Sequence, residues 1–202
     1  AGNDIPGVML AAAMRDYLVN WAVSPGDRTV VVTNNDDAYR TAIALKEAGL
    51  DVAAVVDARV EANGVLPMRA RALGIRVEVG KGIAKVKGGK RVTGVEICLQ
   101  AGEGGSTTLI ECDAVAMSGG WSPVVHLWSH CGGKLTWDEA GAFFRPDATR
   151  PPTGADGQAM VHSVGAANGA LQNAVADADA GAKAVVAALG AKAGATTAPV
   201  HE

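Results

Sequence analysis

An α/β fold built on a parallel sheet is predicted by three stretches of this 202-residue chain. Thr29–Thr33 and Val52–Val56 are short β-branched runs that suit strands covered on both faces. Between them Ala38, Ala42, Leu45 and Gly49 fall on one side of a helix, with Gly49 as its left-handed stop. Strand, turn, helix and strand over Arg28–Ala58 form a βαβ unit, whose crossover is right-handed in almost all known cases.

The other elements follow in order. Pro6-Gly7 sets a turn, and Leu10, Met14, Leu18 and Ala22, four apart, predict an amphipathic helix over 8–22. Ser24-Pro25-Gly26-Asp27 breaks it. After Ala58 comes a loop at 61–64, a helix over 65–73 stopped by Gly74, and a third strand over 75–79. Residues 82–86 and 91–100, joined at Lys87-Gly88-Gly89-Lys90, read as a β-hairpin. A turn at 102–106 and a strand over 107–111 complete a meander, and 112–117 is a buried strand ending in Ser118-Gly119-Gly120. This order is the plan of the smaller dinucleotide domain of two-dinucleotide flavoproteins. Beyond it, 121–137 is irregular and aromatic-rich, 138–145 is a short ribbon, and 146–157 is a loop. A strand over 160–165 and an Ala-rich helix over 170–189 follow, then a frayed Ala/Thr/Pro tail over 191–202.

Composition excludes several classes. Hydrophobic residues make up 49% and aromatics 4%, the balance of a globular sheet packed by small helices. A net charge of −3 argues against nucleic acid or an anionic membrane as partner. No apolar run reaches the roughly 18 residues of a membrane span. Cys98, Cys112 and Cys131 are too few and too far apart for a disulfide framework, so buried thiols in a reducing, cytoplasmic compartment are expected. The chain begins at Ala1 without an initiator Met, which suggests a piece of a longer polypeptide.

Three places invite a functional reading. A dinucleotide fingerprint needs GxGxxG after the first strand, where the backbone meets the pyrophosphate. Here those positions read Thr33-Asn34-Asn35-Asp36-Asp37-Ala38, with no glycine and two carboxylates that repel a phosphate. Asp57 stands where a ribose-binding carboxylate would stand, but with such a turn it is expected to hydrogen-bond its own loop. This half-domain reads as one that has lost its ligand. The second place is Val164-Gly165-Ala166-Ala167-Asn168-Gly169-Ala170-Leu171-Gln172-Asn173, entering a helix with no acidic residue before Asp177. Two readings stay open there: a neutral helix N-terminus that accepts an anionic cofactor, or small residues needed for close helix–strand contact. The third is His126, His130 and Cys131. Zinc would need further ligands that nothing nearby supplies, so indole and imidazole packing at a domain or subunit boundary is favoured. No catalytic constellation is recognisable.

At these residues a family resemblance emerges. Asn3-Asp4-Ile5-Pro6-Gly7-Val8-Met9-Leu10, Thr33-Asn34-Asn35-Asp36, Ser118-Gly119-Gly120-Trp121-Ser122-Pro123-Val124-Val125-His126-Leu127 and Gly133-Lys134-Leu135-Thr136-Trp137-Asp138 resemble the α subunit of heterotetrameric sarcosine oxidases. The resemblance covers nearly the whole chain. It implies an enzyme complex that demethylates sarcosine oxidatively to glycine, reduces oxygen to hydrogen peroxide, and passes a one-carbon unit to tetrahydrofolate or loses it as formaldehyde. It implies NAD in the α subunit, with FAD and FMN tied mainly to the β subunit and its interface with α. It also implies partner β, γ and δ subunits and a folate-binding domain outside this chain.

The resemblance further implies a disulfide-reductase-like module in which residues 25–118 are a degenerate Rossmann-like NAD(P)-type domain. Residues 1–24 would be linker and helix from a first, incomplete dinucleotide domain. Residues 119–190 would be the returning part of that first domain, and 191–202 a flexible tail. By the same match Ala166, Leu171 and Asn173 fall at NAD-contacting positions, and Asn173 stands where the family carries Thr. The chain would then be scaffold with part of an NAD site, inactive alone. The alternatives are the NAD(P)H-binding domain of a disulfide-reductase-like flavoprotein, the α subunit of a related amine or opine oxidase, or a purely interacting module.

Overall fold

The computed structural model describes residues 2–100, 105, 107–171 and 173–190. The chain divides into two compact units, Ala1–Gly120 and Trp121–Glu202.

The first unit opens with β1 (Val8–Leu10) and α1 (Ala11–Trp21), followed by β2 (Arg28–Thr33), α2 (Asp37–Glu47) and β3 (Asp51–Asp57). Next come α3 (Val65–Ala72), β4 (Val77–Val79), the strands β5 (Lys81–Gly88), β6 (Val92–Leu99) and β7 (Thr108–Glu111), and β8 (Ala114–Ser118). Five strands form a sheet in the order β1-β8-β2-β3-β4, every pair parallel. Strands β5, β6 and β7 form a separate antiparallel meander.

Alternation along the strands creates three layers. Val31, Val55, Ala114 and Ala116 face the helices, packing with Met14, Tyr39, Ala42 and Leu45. Val30, Ala54, Val56 and Val115 face the meander, packing with Val86, Val95, Ile97 and Ile110. Both faces of the parallel sheet are therefore covered, as its β-branched runs require. The predicted βαβ-α-β core, meander and closing strand are all present.

Residues 8–22 differ from the expected single helix. Val8–Leu10 is extended and pairs with Val115–Met117 of β8, and the helix starts only at Ala11. Three residues are too few to show an alternating pattern, and the four-residue spacing of the following helix masks them. The helix closes on Ala22 in the left-handed region, φ 52°, whose N–H reaches Leu18 O. Ala11 and Met14 are buried in the core of the first unit, and β1 is the edge strand of its sheet.

The second unit contains α4 (His126–His130), a ribbon of β9 (Leu135–Asp138) and β10 (Phe143–Pro146), a 3₁₀ turn over Gly165–Asn168, and α5 (Ala174–Ala188). The ribbon expected over 138–145 is present only in its second strand, since β9 lies in the stretch expected to be irregular. The strand expected over 160–165 is absent; residues 160–164 are irregular, and an isolated bridge, Thr153 to Ala159, precedes them. The helix expected from Ala170 begins at Ala174; the N–H groups of Ala170 and Leu171 bond back to Gly165 O and Gly169 O in the preceding turn instead. The tail over 191–202 and most of the 102–106 turn lie outside the described residues. No helix among the described residues is long and apolar enough to cross a membrane.

Candidate functional site

The carboxyl ends of β2, β8 and β3 are where a sheet of this kind ordinarily takes its ligand. In this chain the β2–α2 turn is tied up by its own side chains. Thr33 Oγ1 donates to Asn35 O at 2.9 Å and accepts from the Asn35 N–H at 3.0 Å. Asn35 Oδ1 accepts the Asp37 N–H at 3.0 Å, so one of the free donors of the α2 N-terminus is already engaged. The Asn35 amide also donates to Ser118 Oγ at 3.1 Å, and Asn34 donates to Gly119 O at 3.0 Å. These bonds fasten the turn to the end of β8.

Asp57, at the end of β3, is fully buried. Its Oδ2 accepts from the Tyr39 hydroxyl at 2.8 Å and from Arg59 Nη2 at 2.7 Å. Its Oδ1 accepts the Arg59 N–H and Nε–H, both at 3.0 Å. A carboxylate offers about four lone-pair sites, and all are taken. Nothing is left to receive a ribose hydroxyl. Burial alone would raise the Asp57 carboxyl, but the Arg59 side-chain and backbone bonds and the Tyr39 hydroxyl outweigh it and hold the group below its ordinary value. Burial, reinforced by the bond to Asp57, pushes the Tyr39 phenol far above its usual range, so it remains a donor.

The same guanidinium reaches across to the β2–α2 turn. Arg59 Nη2 lies 2.8 Å from Asp36 Oδ1. This ion pair joins the two loops that would flank a dinucleotide. Asp36 is pressed against the start of α3, where a Cβ on Gly64 would overlap its Oδ2. The expectation that Asp57 serves its own loop agrees with this geometry. Tyr39 and Arg59 were not legible as its partners. The available signal was position: Arg59 follows Asp57 by two residues, the spacing of an Asx turn, and Tyr39 lies in the first turn of α2.

A smaller cleft of about 250 Å³ remains at the ends of β2 and β8 beneath β5. Val32, Ile83 and Met117 form its apolar part, with Asn34 and Gln100 among its polar walls.

In the second unit Ala166, Leu171 and Asn173 are all exposed. Ala166 lies in the 3₁₀ turn, and Asn173 is the residue before the first turn of α5. The later helix start places Asp177 in that first turn, so the N-terminus is not neutral as expected. Asp177 Oδ2 instead accepts the Gly165 N–H at 2.7 Å and holds the turn against the helix. Gly181 lets Val164 approach α5 so closely that a Cβ there would overlap Val164 Cγ1. Close contact therefore accounts for part of the small-residue composition.

His126, His130 and Cys131 are exposed at α4. No cluster of three metal-ligating side chains exists among the described residues. Trp128 between the histidines is buried, and its Nε1 donates to Lys134 O at 2.8 Å.

Comparison with known proteins gives a consistent picture. No protein-family model matches the chain. Sarcosine oxidase subunit alpha of Rhizobium meliloti (strain 1021) is 40% identical over 169 residues, covering 83% of this chain and 16% of the relative. Subunits of the same name from Corynebacterium sp. strains P-1 and U-96 are 38% and 35% identical over 72% and 86% of this chain. The chain spans only 15–17% of the length of these relatives. Among solved structures, T. acidophilum thioredoxin reductase matches 91% of this chain and 58% of its own at TM-score 0.61 and 18% identity. L-proline dehydrogenase from P. horikoshii matches 95% of this chain and 32% of its own at TM-score 0.58 and 18% identity. These two show the fold: a Rossmann-like domain with a meander, of the FAD/NAD(P)-binding kind. With three relatives at 35–40% identity, the chain belongs to the sarcosine oxidase subunit alpha family, as a stretch of such a subunit.

Proposed function

We propose that this chain is part of an α subunit in a sarcosine-oxidising complex and serves there as scaffold, with part of an NAD site in its second unit. The complex would convert sarcosine to glycine with oxygen as acceptor, yield hydrogen peroxide, and pass the one-carbon unit to tetrahydrofolate. Its partners would be the β, γ and δ subunits, which with α hold FAD and FMN. Identity of 35–40% to three sarcosine oxidase α subunits supports the assignment. The observation that carries the scaffold role is the saturated Asp57 carboxylate, which leaves the first unit without a free ribose acceptor.

The residues of the second unit fit an NAD wall in a limited way. Leu171 offers exposed aliphatic surface and Asn173 an exposed amide, while the Asp177 charge is turned to the Gly165 N–H. NAD would bring hydride-carrying nicotinamide chemistry when bound; these side chains would only pack against it and hydrogen-bond to it. A reading as a working NAD(P)H domain of a reductase is disfavoured by the glycine-free, doubly acidic turn.

The test uses the full-length α subunit co-produced with its partner subunits. NAD released on denaturation is quantified, and sarcosine-dependent oxygen uptake is measured. Asn173→Asp and Leu171→Asp should lower retained NAD, and Arg59→Met should leave it unchanged. Retained NAD that is lost with Arg59→Met yet survives both changes in the second unit would overturn the reading. So would a complex that consumes no oxygen with sarcosine.

A further inference from the structure

The outer helical face of the first unit carries a trough that the scaffold role does not use. At one end a hollow of about 480 Å³ is bordered by Leu18, Val19, Ala22, Ala44, Ala48 and Leu50. Ala44 also borders a second hollow of about 390 Å³, walled by Ile43, Leu66, Glu47 and the guanidinium side chains of Arg15, Arg40 and Arg69. The two hollows meet at Ala44 of α2, an apolar one against α1 and a cationic one reaching α3, and are treated together as a trough.

The positive end is incompletely neutralised. Arg15 and Arg40 share one carboxylate, Asp37, each at 3.4 Å, and Arg69 pairs with Glu47 at 2.6 Å. Three guanidinium groups meet two carboxylates. Helices α1 to α3 together carry five basic and three acidic side chains, in a chain whose net charge is −3. Near the apolar end Val19, Trp21 and Val23 are 67%, 69% and 51% exposed. Grouped apolar exposure beside a charged rim is the mark of a docking surface.

We propose that this trough docks an amphipathic helical segment of another polypeptide, with its apolar side on Leu18, Val19 and Leu50 and carboxylates at the end that meets Arg40 and Arg69. Apolar anchors at helical spacing supply affinity in such grooves, and complementary charge sets register and direction. A lysine-bearing segment would leave the third guanidinium facing like charge. The inference rests on the helical face alone and stands whether or not the chain contributes to an NAD site.

The test measures anisotropy of fluorescein-labelled helical peptides of about 15 residues with the whole 202-residue chain. One peptide has leucines at i, i+3, i+4 and i+7 and glutamates in its last turn. A second has lysines in place of the glutamates, and a third keeps the glutamates but replaces leucine by glutamine. The first should bind about tenfold or more tighter than the others, and its affinity should fall between about 50 and about 500 mM salt. Arg40→Glu and Val19→Glu, both at exposed positions, should each weaken it at least about fivefold. Lys90→Glu, in the turn between β5 and β6, should not change it. Circular dichroism confirms that each variant is folded. Equal affinity for the three peptides, no binding of any, or indifference to both Arg40→Glu and Val19→Glu overturns the proposal. Sedimentation showing a dimer that either variant dissociates would give the trough to a second copy and also overturn it.

Discussion

Arg59→Met removes the guanidinium while keeping much of the aliphatic stem, and it isolates what the internal ion pair contributes. Asp57 would keep its bonds from Tyr39 and from the backbone N–H of residue 59, and lose two charge-assisted bonds. Breaking a buried pair by deleting one partner costs about 3–5 kcal/mol. The Arg59 side chain is 34% exposed, so water can enter the vacated space, and about 2–4 kcal/mol is expected. Domains of this size are stable by about 5–15 kcal/mol, so the urea midpoint should move visibly. The pH dependence identifies the cause. In the native protein the Asp57 pKa is lowered, so its contribution is complete above the unfolded value, near ~3.9, and is lost as pH falls through the folded value. In the variant burial is opposed only by the Tyr39 hydroxyl and the backbone N–H of residue 59, so the folded pKa lies above the native one and the folded state takes up a proton at higher pH. The gap between native and variant should be widest at neutral pH and narrow toward about pH 4.5. The double variant Arg59→Met/Asp57→Asn should recover at least about half of the loss at neutral pH. A loss below about 0.5 kcal/mol, or one equal at both pH values, would refute the reasoning.

Other expectations concern single positions. Ala22 holds a left-handed cap at φ 52°, so Ala22→Gly should raise stability by about 0.5–1 kcal/mol, read as a higher Tm. Gly133→Ala should cost about 2–3 kcal/mol and perturb tryptophan emission, because its Cβ would overlap the Trp128 indole. Burial, aided by the nearby Asp113, pushes the Cys112 thiol up to about 11, while Cys131 is exposed. Iodoacetamide at pH 7.5 should therefore modify Cys131 in the native protein and reach Cys112 only on unfolding, as peptide mass mapping will show.

How far the sequence was legible depended on element length and on which partner closes each contact. The β-branched runs of β2 and β3 declared a doubly covered parallel sheet, and Gly49 and Gly74 marked the ends of their helices within a residue or so. Val8–Leu10 was lost because a three-residue strand carries no period of its own. The onset of α5 was misread because Ala170 and Leu171 are good helix formers, while the left-handed Gly169 and the Gly165–Asp177 bond are tertiary facts. At the candidate site the missing glycines were visible, and so was the unusual acidity of the turn. That Asp57 would be saturated was not, since Tyr39 approaches it from a helix whose rotation is decided only by packing.

The Arg59 plug has a thermodynamic consequence for the first unit. A partner two residues away in the same chain pays almost no translational entropy, so any competing nucleotide would have to displace a group that cannot diffuse away. An ordinary dinucleotide domain gains about 2.7 kcal/mol when its ligand stands at a hundredfold its Kd, and loses that gain when the pool is depleted. With its carboxylate occupied from within, this unit should melt at the same temperature with and without added nicotinamide nucleotide.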